Sequence, residues 1–193
     1  MSSPNLPANL KRPLAQYLDL LDRWNRTHAL TALPPACRRE ELLLDAAALL
    51  PFLVSLAPGA RVADLGTGMG SPAVVLALAR PDLTVLGVDA STKKLAFVRQ
   101  AALELPIPNL QTVHGRLEKL PPLEADLGVA KALGALPQLA AWWARHGRPG
   151  APLLALKGTD WTQEGVPLGW TAEPHAYELP TRGNRVVVIL RQT

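Results

Sequence analysis

Two carboxylates and a lysine, each at or just past the end of an apolar run, have the spacing best suited to chemistry in this chain. Asp64 ends ARVAD and is followed by glycine at three alternate positions, Gly66, Gly68 and Gly70, before Ser71-Pro72 and a long apolar run. Asp89 closes LTVLGVD, 23 positions after Gly66. Lys131 follows DLGVA. Glycine lets a backbone turn with positive φ and lets a ligand approach where a Cβ would stand in the way. A carboxylate beside such a turn suits a cationic ligand, and an acid at the tip of a second strand about 20 residues on suits the hydroxyls of a ribose. The same residues would also serve plain strand–helix packing, with Asp89 capping the helix that starts near Ser91.

The spacing separates two cofactor classes. A dinucleotide fingerprint, G-x-G-x-x-G, needs its third glycine at position 71, where this chain has serine. The pattern here is acid-x-G-x-G-x-G, which resembles the first motif of the S-adenosylmethionine methyltransferases. That cofactor has no pyrophosphate, but it carries a sulfonium cation and an amino acid tail that a nearby carboxylate can hold.

The elements that must position these residues alternate. Arg61 to Leu65 reads as a buried strand, and Ser71-Pro72 as a helix start with proline at the first helical position. Further strands are expected at 83–89, 110–114, 126–130 and 152–157, with helices at 91–104 and 137–145 between them. Strand–helix alternation marks a parallel sheet with crossover helices. One indole of Trp142-Trp143 is expected to pack inward. Residues 170–179 and 184–191 read as a closing hairpin. Ahead of the first strand, apolar stripes predict helices at 10–27 and 38–56, the second interrupted by Pro51. Residues 1–9 are expected to be a disordered tail and 10–193 a single domain, with helices over 10–57 flanking a cofactor-binding core over 58–193.

Composition bounds the rest. The chain has 193 residues, 48% of them hydrophobic, enough for one sizeable core. No apolar run reaches the length of a membrane span, and the N-terminus lacks a signal-like apolar region, so a cytoplasmic protein without membrane contact is expected. One cysteine and four scattered histidines give neither an internal disulfide nor a metal-ligand spacing, so no metal is expected. The formal net charge is +4. Arg182, Arg185 and Arg191 follow the last acid, and Lys11, Arg12, Arg23, Arg26, Arg38 and Arg39 crowd the start. Such a margin suits a phosphate backbone, and equally an ordinary solvated surface.

With these pieces in order, the chain resembles the bacterial small-subunit rRNA guanine-N7 methyltransferase G family, also called the glucose-inhibited division protein B family. The stretches that carry the resemblance are YLDLLDRWNRTHALT, VADLGTGMGSPAVVLALARPDL, VDASTKKLAFVRQ, HGRLE, VAKAL, LLALKG and RVVVIL. It implies a Rossmann-like α/β fold with helices on both faces of a seven-stranded, mainly parallel sheet. It also implies S-adenosylmethionine as cofactor and a guanine of 16S rRNA, in the small ribosomal subunit or its precursor, as substrate. The cofactor positions it implies are Gly66, Ser71, Leu117, Glu118 and Lys131, beside Asp64, Gly68, Gly70 and Asp89 from the glycine turn and ribose spacing. Leu117 and Glu118 would lie at the adenine. The family favours an apolar residue at Ser71, arginine at Lys131, asparagine at Ala29, and H-x-x-D-S where this chain reads Leu42-Leu43-Leu44-Asp45-Ala46.

Guanine N7 has an in-plane lone pair and no proton to lose, so its methylation needs positioning and electrostatics rather than a general base. Lys131 is the expected catalytic residue, donating to guanine O6 or holding a flanking phosphate. His114 at a strand tip reads as a packed histidine rather than a base. A monomer is expected. A methyltransferase acting on another substrate, a noncatalytic cofactor- or RNA-binding relative, and a nicotinamide oxidoreductase stay open at this point.

Overall fold

The expected apolar runs become strands β1 (Arg61–Leu65), β2 (Thr84–Asp89), β3 (Leu110–His114), β4 (Leu127–Lys131), β5 (Leu153–Lys157), β6 (Trp170–Leu179) and β7 (Gly183–Gln192). In the computed structural model, which describes residues 3–193, they form one sheet in the order β3-β2-β1-β4-β5-β7-β6. The first five run parallel. β7 is antiparallel to both β5 and β6. The order reverses between β1 and β4, and in open α/β sheets ligands sit outside the carboxyl ends of the strands at such a point. Met1 and Ser2 of the expected tail lie outside the described residues. The rest of that stretch differs from the expectation, because Leu6 is buried in the core and Ala8–Leu10 form a 3₁₀ turn.

Alternation along the strands sends side chains to two cores. One face carries Val62, Val85, Val129 and Leu154 and is covered by α1 (Lys11–His28), α4 (Ala73–Ala79) and α5 (Thr92–Glu104). The N-terminal segment lies in that same core through Leu14, Tyr17 and Leu21. The other face carries Leu65, Val88, Ala130 and Val188 beneath α6 (Leu136–His146). The inward indole is Trp143, 1% exposed. It continues the stripe Leu136, Leu139, Ala140, and Gly128 on β4 makes room for it: a Cβ there would stand 2.7 Å from the ring.

The second expected helix is composite. It runs as α2 (Pro35–Arg38), widens to a π-helical stretch (Arg39–Leu44) and returns as α3 (Asp45–Ala47), with Pro51 in a 3₁₀ turn (Leu50–Leu53). Pro72 precedes α4 instead of opening it. β4 starts one residue later than expected, since the Asp126 carboxylate accepts from the Arg61 N–H at 2.7 Å and so ties the start of β1.

Ala29 ends α1 in the left-handed conformation, φ 44° and ψ 57°. The backbone N–H of Ala29 donates to the Asn25 carbonyl, and Lys93 Nζ donates to the carbonyls of His28 and Ala29. An alanine Cβ crowds the carbonyl in that region, whereas asparagine tolerates it. Ala29→Asn is expected to raise unfolding stability by about 1 kcal/mol, read as a higher midpoint at unchanged slope in urea denaturation.

Candidate functional site

β1 delivers the chain into a turn in which Gly66, Gly68 and Gly70 all have positive φ, 69°, 58° and 96°. The turn is held from the neighbouring strand. Asp89 Oδ2 accepts from the Gly68 N–H at 2.9 Å, and Oδ1 accepts from the Ser91 N–H at 2.8 Å, so one carboxylate joins the glycine turn to the start of α5. Thr67 N–H donates to the Val88 carbonyl at 2.8 Å, and Gly87 inside β2 admits the Thr67 side chain. At Gly66, φ 69°, a Cβ would stand 2.5 Å from Leu133 Cδ1, so any side chain here would have to displace that leucine.

Outside these strand tips lies a slot of about 190 Å³, whose lining includes Gly66, Asp89, Leu117, Glu118, Leu133 and Trp142. Asp89 and Glu118 are the carboxylates of this lining, and Val88, Leu117 and Leu133 are apolar parts of it. The loop that carries Leu117 and Glu118 is pinned from α6. Trp142 Nε1 donates to Glu118 Oε1 at 2.9 Å, Arg145 Nε to the Leu120 carbonyl at 3.1 Å, and His146 Nε2 to the Leu117 carbonyl at 2.9 Å. His146 is fully buried, and burial lowers its pKa, while the bond to the Leu117 carbonyl acts the other way.

A second polar layer lies behind the turn. Asp64 is completely buried, with Oδ2 accepting from the Ala73 N–H at 3.0 Å. Burial pushes its carboxyl up to about 7, against the pull of Thr67, the Ala73 N–H and Lys131. Lys131 Nζ donates to the Glu41 carbonyl at 2.6 Å and to Ser71 Oγ at 3.0 Å, and Ser71 Oγ donates to the Leu42 carbonyl at 2.6 Å. Burial lowers the Lys131 pKa, while Asp45, Asp64 and Glu41 act against that. Asp45, itself buried, accepts from Tyr177 Oη at 2.5 Å with Arg185 at 4.0 Å. Tyr17 Oη donates to the Met69 carbonyl at 2.8 Å, so α1 also holds the turn.

Of the residues expected from the sequence, the slot brings together Gly66, Asp89, Leu117 and Glu118. Asp64, Gly68, Gly70, Ser71 and Lys131 do not line it. Gly68 shapes the turn, a Cβ at Gly70 would meet Val74 at 2.9 Å, and Asp64, Ser71 and Lys131 belong to the layer behind. His114, expected to be packed, is exposed and bonded to the Ala90 carbonyl. Sequence reasoning missed Leu133, Trp142, His146 and Tyr17. The pair Trp142 and His146 carried a signal, four residues apart on one helix face. Leu133 and Tyr17 carried none. Among the described residues, no group of three or more His, Cys, Asp or Glu could hold a metal, and no helix is long and apolar enough to cross a membrane.

Sheet order and slot define a Rossmann-like methyltransferase fold. The chain superposes on an S-adenosylmethionine-dependent methyltransferase from Aquifex aeolicus with TM-score 0.61 at 15% identity, covering 88% of this chain and 97% of that one. It also superposes on an O-methyltransferase from Bacillus cereus, solved with S-adenosylhomocysteine, with TM-score 0.59 at 14% identity over 92% and 91%. The sequence narrows this further. Residues 10–168 match the family model GidB, rRNA small subunit methyltransferase G. The chain is 38% identical to the ribosomal RNA small subunit methyltransferase G of Xanthomonas axonopodis pv. citri over 100% of this chain and 92% of that protein. It is 41% identical to the protein so named in Bordetella pertussis over 79% and 70%. The chain belongs to the rRNA small subunit methyltransferase G family.

The buried acid gives a pH signature. Below about pH 4 Asp64 is neutral both folded and unfolded; between about 4 and 7 the unfolded chain ionises it and the folded chain resists, so its contribution disfavours folding increasingly as pH rises. Asp64→Asn removes that contribution. The stability of the wild type relative to Asp64→Asn is expected to fall by a few kcal/mol between pH 4 and pH 7, as measured by paired urea denaturation series.

Proposed function

We propose that this chain transfers a methyl group from S-adenosylmethionine to N7 of a guanine in 16S rRNA, acting as a cytoplasmic monomer on the small ribosomal subunit or its precursor. The observation that carries the cofactor reading is the slot lined by both Asp89 and Glu118, beside the strand-order reversal. The residues fit the cofactor. Each oxygen of Asp89 uses one acceptor direction on a backbone N–H, which leaves capacity for two ribose hydroxyls. Gly66 lines the slot with no side chain of its own, and Leu117 and Leu133 offer apolar surface for a purine. When bound, the cofactor supplies an electrophilic methyl group.

The substrate reading rests on family membership and on charge. Lys11, Arg12, Arg26 and Arg39 are exposed on the N-terminal segment, where they can meet phosphates. The N7 lone pair needs no base, which fits a site where burial pushes the Asp64 carboxyl toward neutrality. The task left to this chain is to exclude water and hold a base unstacked from its RNA. Lys131 serves as a buried cation that keeps the N-terminal segment against the glycine turn and offers its remaining N–H to the substrate side. A noncatalytic relative is the second reading, favoured because two Lys131 donors are already taken by Glu41 and Ser71.

Incubating the protein and S-adenosylmethionine with precursor subunits is expected to yield one N7-methylguanosine in 16S rRNA, read by nucleoside mass analysis and by one new break after borohydride and aniline treatment. RNA that stays unmodified by a protein shown to bind the cofactor would favour the noncatalytic reading. Lys131→Met is expected to slow single-turnover methylation by one to three orders of magnitude, about 1.4–4 kcal/mol in the barrier. Cofactor affinity should change much less. Asp89→Ala is expected to weaken S-adenosylhomocysteine binding roughly ten- to a hundredfold, the loss of hydrogen bonds to a charged acceptor, as followed by titration calorimetry.

A further inference from the structure

We infer that Trp142 is a specificity-determining residue of the slot: its indole walls the purine and holds the Glu118 carboxylate as the acceptor for an exocyclic amino group. The inference deepens the cofactor reading above and rests on it.

α6 turns one face toward the loop after β3. Trp142 and His146, four residues apart, reach that loop at adjacent residues, Glu118 and Leu117. The His146 bond is fully buried and fixes the backbone. The Trp142 bond fixes a side chain. Glu118 is exposed, and an exposed glutamate has several rotamers that cost free energy to restrict. Indole Nε1–H is a donor only. By occupying Oε1 it orients the carboxylate without competing as an acceptor, and Oε2 is left to accept from a ligand. Trp142 is half-buried and itself lines the slot, together with Val88, Asp89 and Leu133. The ring and the carboxylate it holds therefore meet the same ligand.

A purine with its ribose at Asp89 and its base toward Leu117 presents its six-position to this pair. An amino group there donates to Glu118. A carbonyl oxygen there would set two acceptors against each other with no proton between them, and the hydrogen bond is lost. The slot should thus prefer adenine over hypoxanthine, and Trp142 should contribute to the preference by keeping Glu118 in place.

The test compares S-adenosylhomocysteine with its 6-oxo analogue, in which hypoxanthine replaces adenine, by titration calorimetry on the full chain. Trp142→Phe keeps a ring in the wall and removes the N–H. It is expected to weaken S-adenosylhomocysteine roughly two- to tenfold, the size of one lost positioning hydrogen bond, and the analogue less than that, so the preference ratio falls. In a Glu118→Ala background, where the ratio should already be low, Trp142→Phe should lower it no further. Indole emission of the wild type should change on S-adenosylhomocysteine addition, and most of that change should be missing in Trp142→Phe. Equal weakening of both ligands would overturn the inference, because a purely structural ring lowers both alike. So would an unchanged ratio, or a further loss in the Glu118→Ala background. Failure of the wild type to bind S-adenosylhomocysteine at all would instead overturn the cofactor reading, which separates the two.

Discussion

A carboxylate sealed beneath a glycine turn is tolerated only if its surroundings are arranged around it. Asp64 is at the end of β1 with no solvent contact. It is satisfied on one oxygen by the first N–H of α4 and lies within the field of Lys131. Lys131 in turn must find acceptors in a buried place, and it takes the Glu41 carbonyl and the Ser71 hydroxyl. Buried polar groups cost free energy unless they are paired, so each partner recruits the next. This series of contacts fixes where the N-terminal segment meets the sheet, and thereby where the glycine turn points.

The two faces of the sheet divide the work accordingly. The face under α1, α4 and α5 secures the turn from behind, through Tyr17 on the Met69 carbonyl and the buried layer around Asp64. The face under α6 supports the front of the slot, through donors to the loop after β3. Asp89 stands where the two meet and bonds the turn and the start of α5 together. A cleft framed by separate packing units can keep its width without any single unit having to be rigid.

Much of this was legible in the sequence, for physical reasons. Strands buried on both faces read as continuous apolar runs, and Gly66, Asp89, Leu117 and Glu118 lie at the ends of such runs or in the loops that follow them. The layer behind the turn was not legible. The partners of Ser71 and Lys131 could not be read, because position along a strand tip does not reveal which way a side chain is drawn. The deciding partners are backbone carbonyls of Glu41 and Leu42, which have no signature in residue type. The second helix widened into a π-helical stretch that no apolar stripe predicts. Leu6 was concealed by prolines and polar neighbours that suggested a free tail. Trp143 over Trp142 was decidable in principle, since Leu136, Leu139, Ala140 and Trp143 fall on one helix face.

The outer strands have a consequence for the life of the chain in a crowded cell. β6 borders the sheet on one side and β3 on the other. β6 carries Pro174 at its middle, flanked by Glu173 and His175, which bond each other. β3 is five residues long and exposes Gln111 and His114. Proline offers no N–H to an incoming strand, and short, polar borders give it little to grip. A fold whose interior strands are this apolar would be hazardous if its borders could recruit a second chain. Here strand addition is disfavoured at both borders, at β6 by Pro174 and at β3 by its shortness.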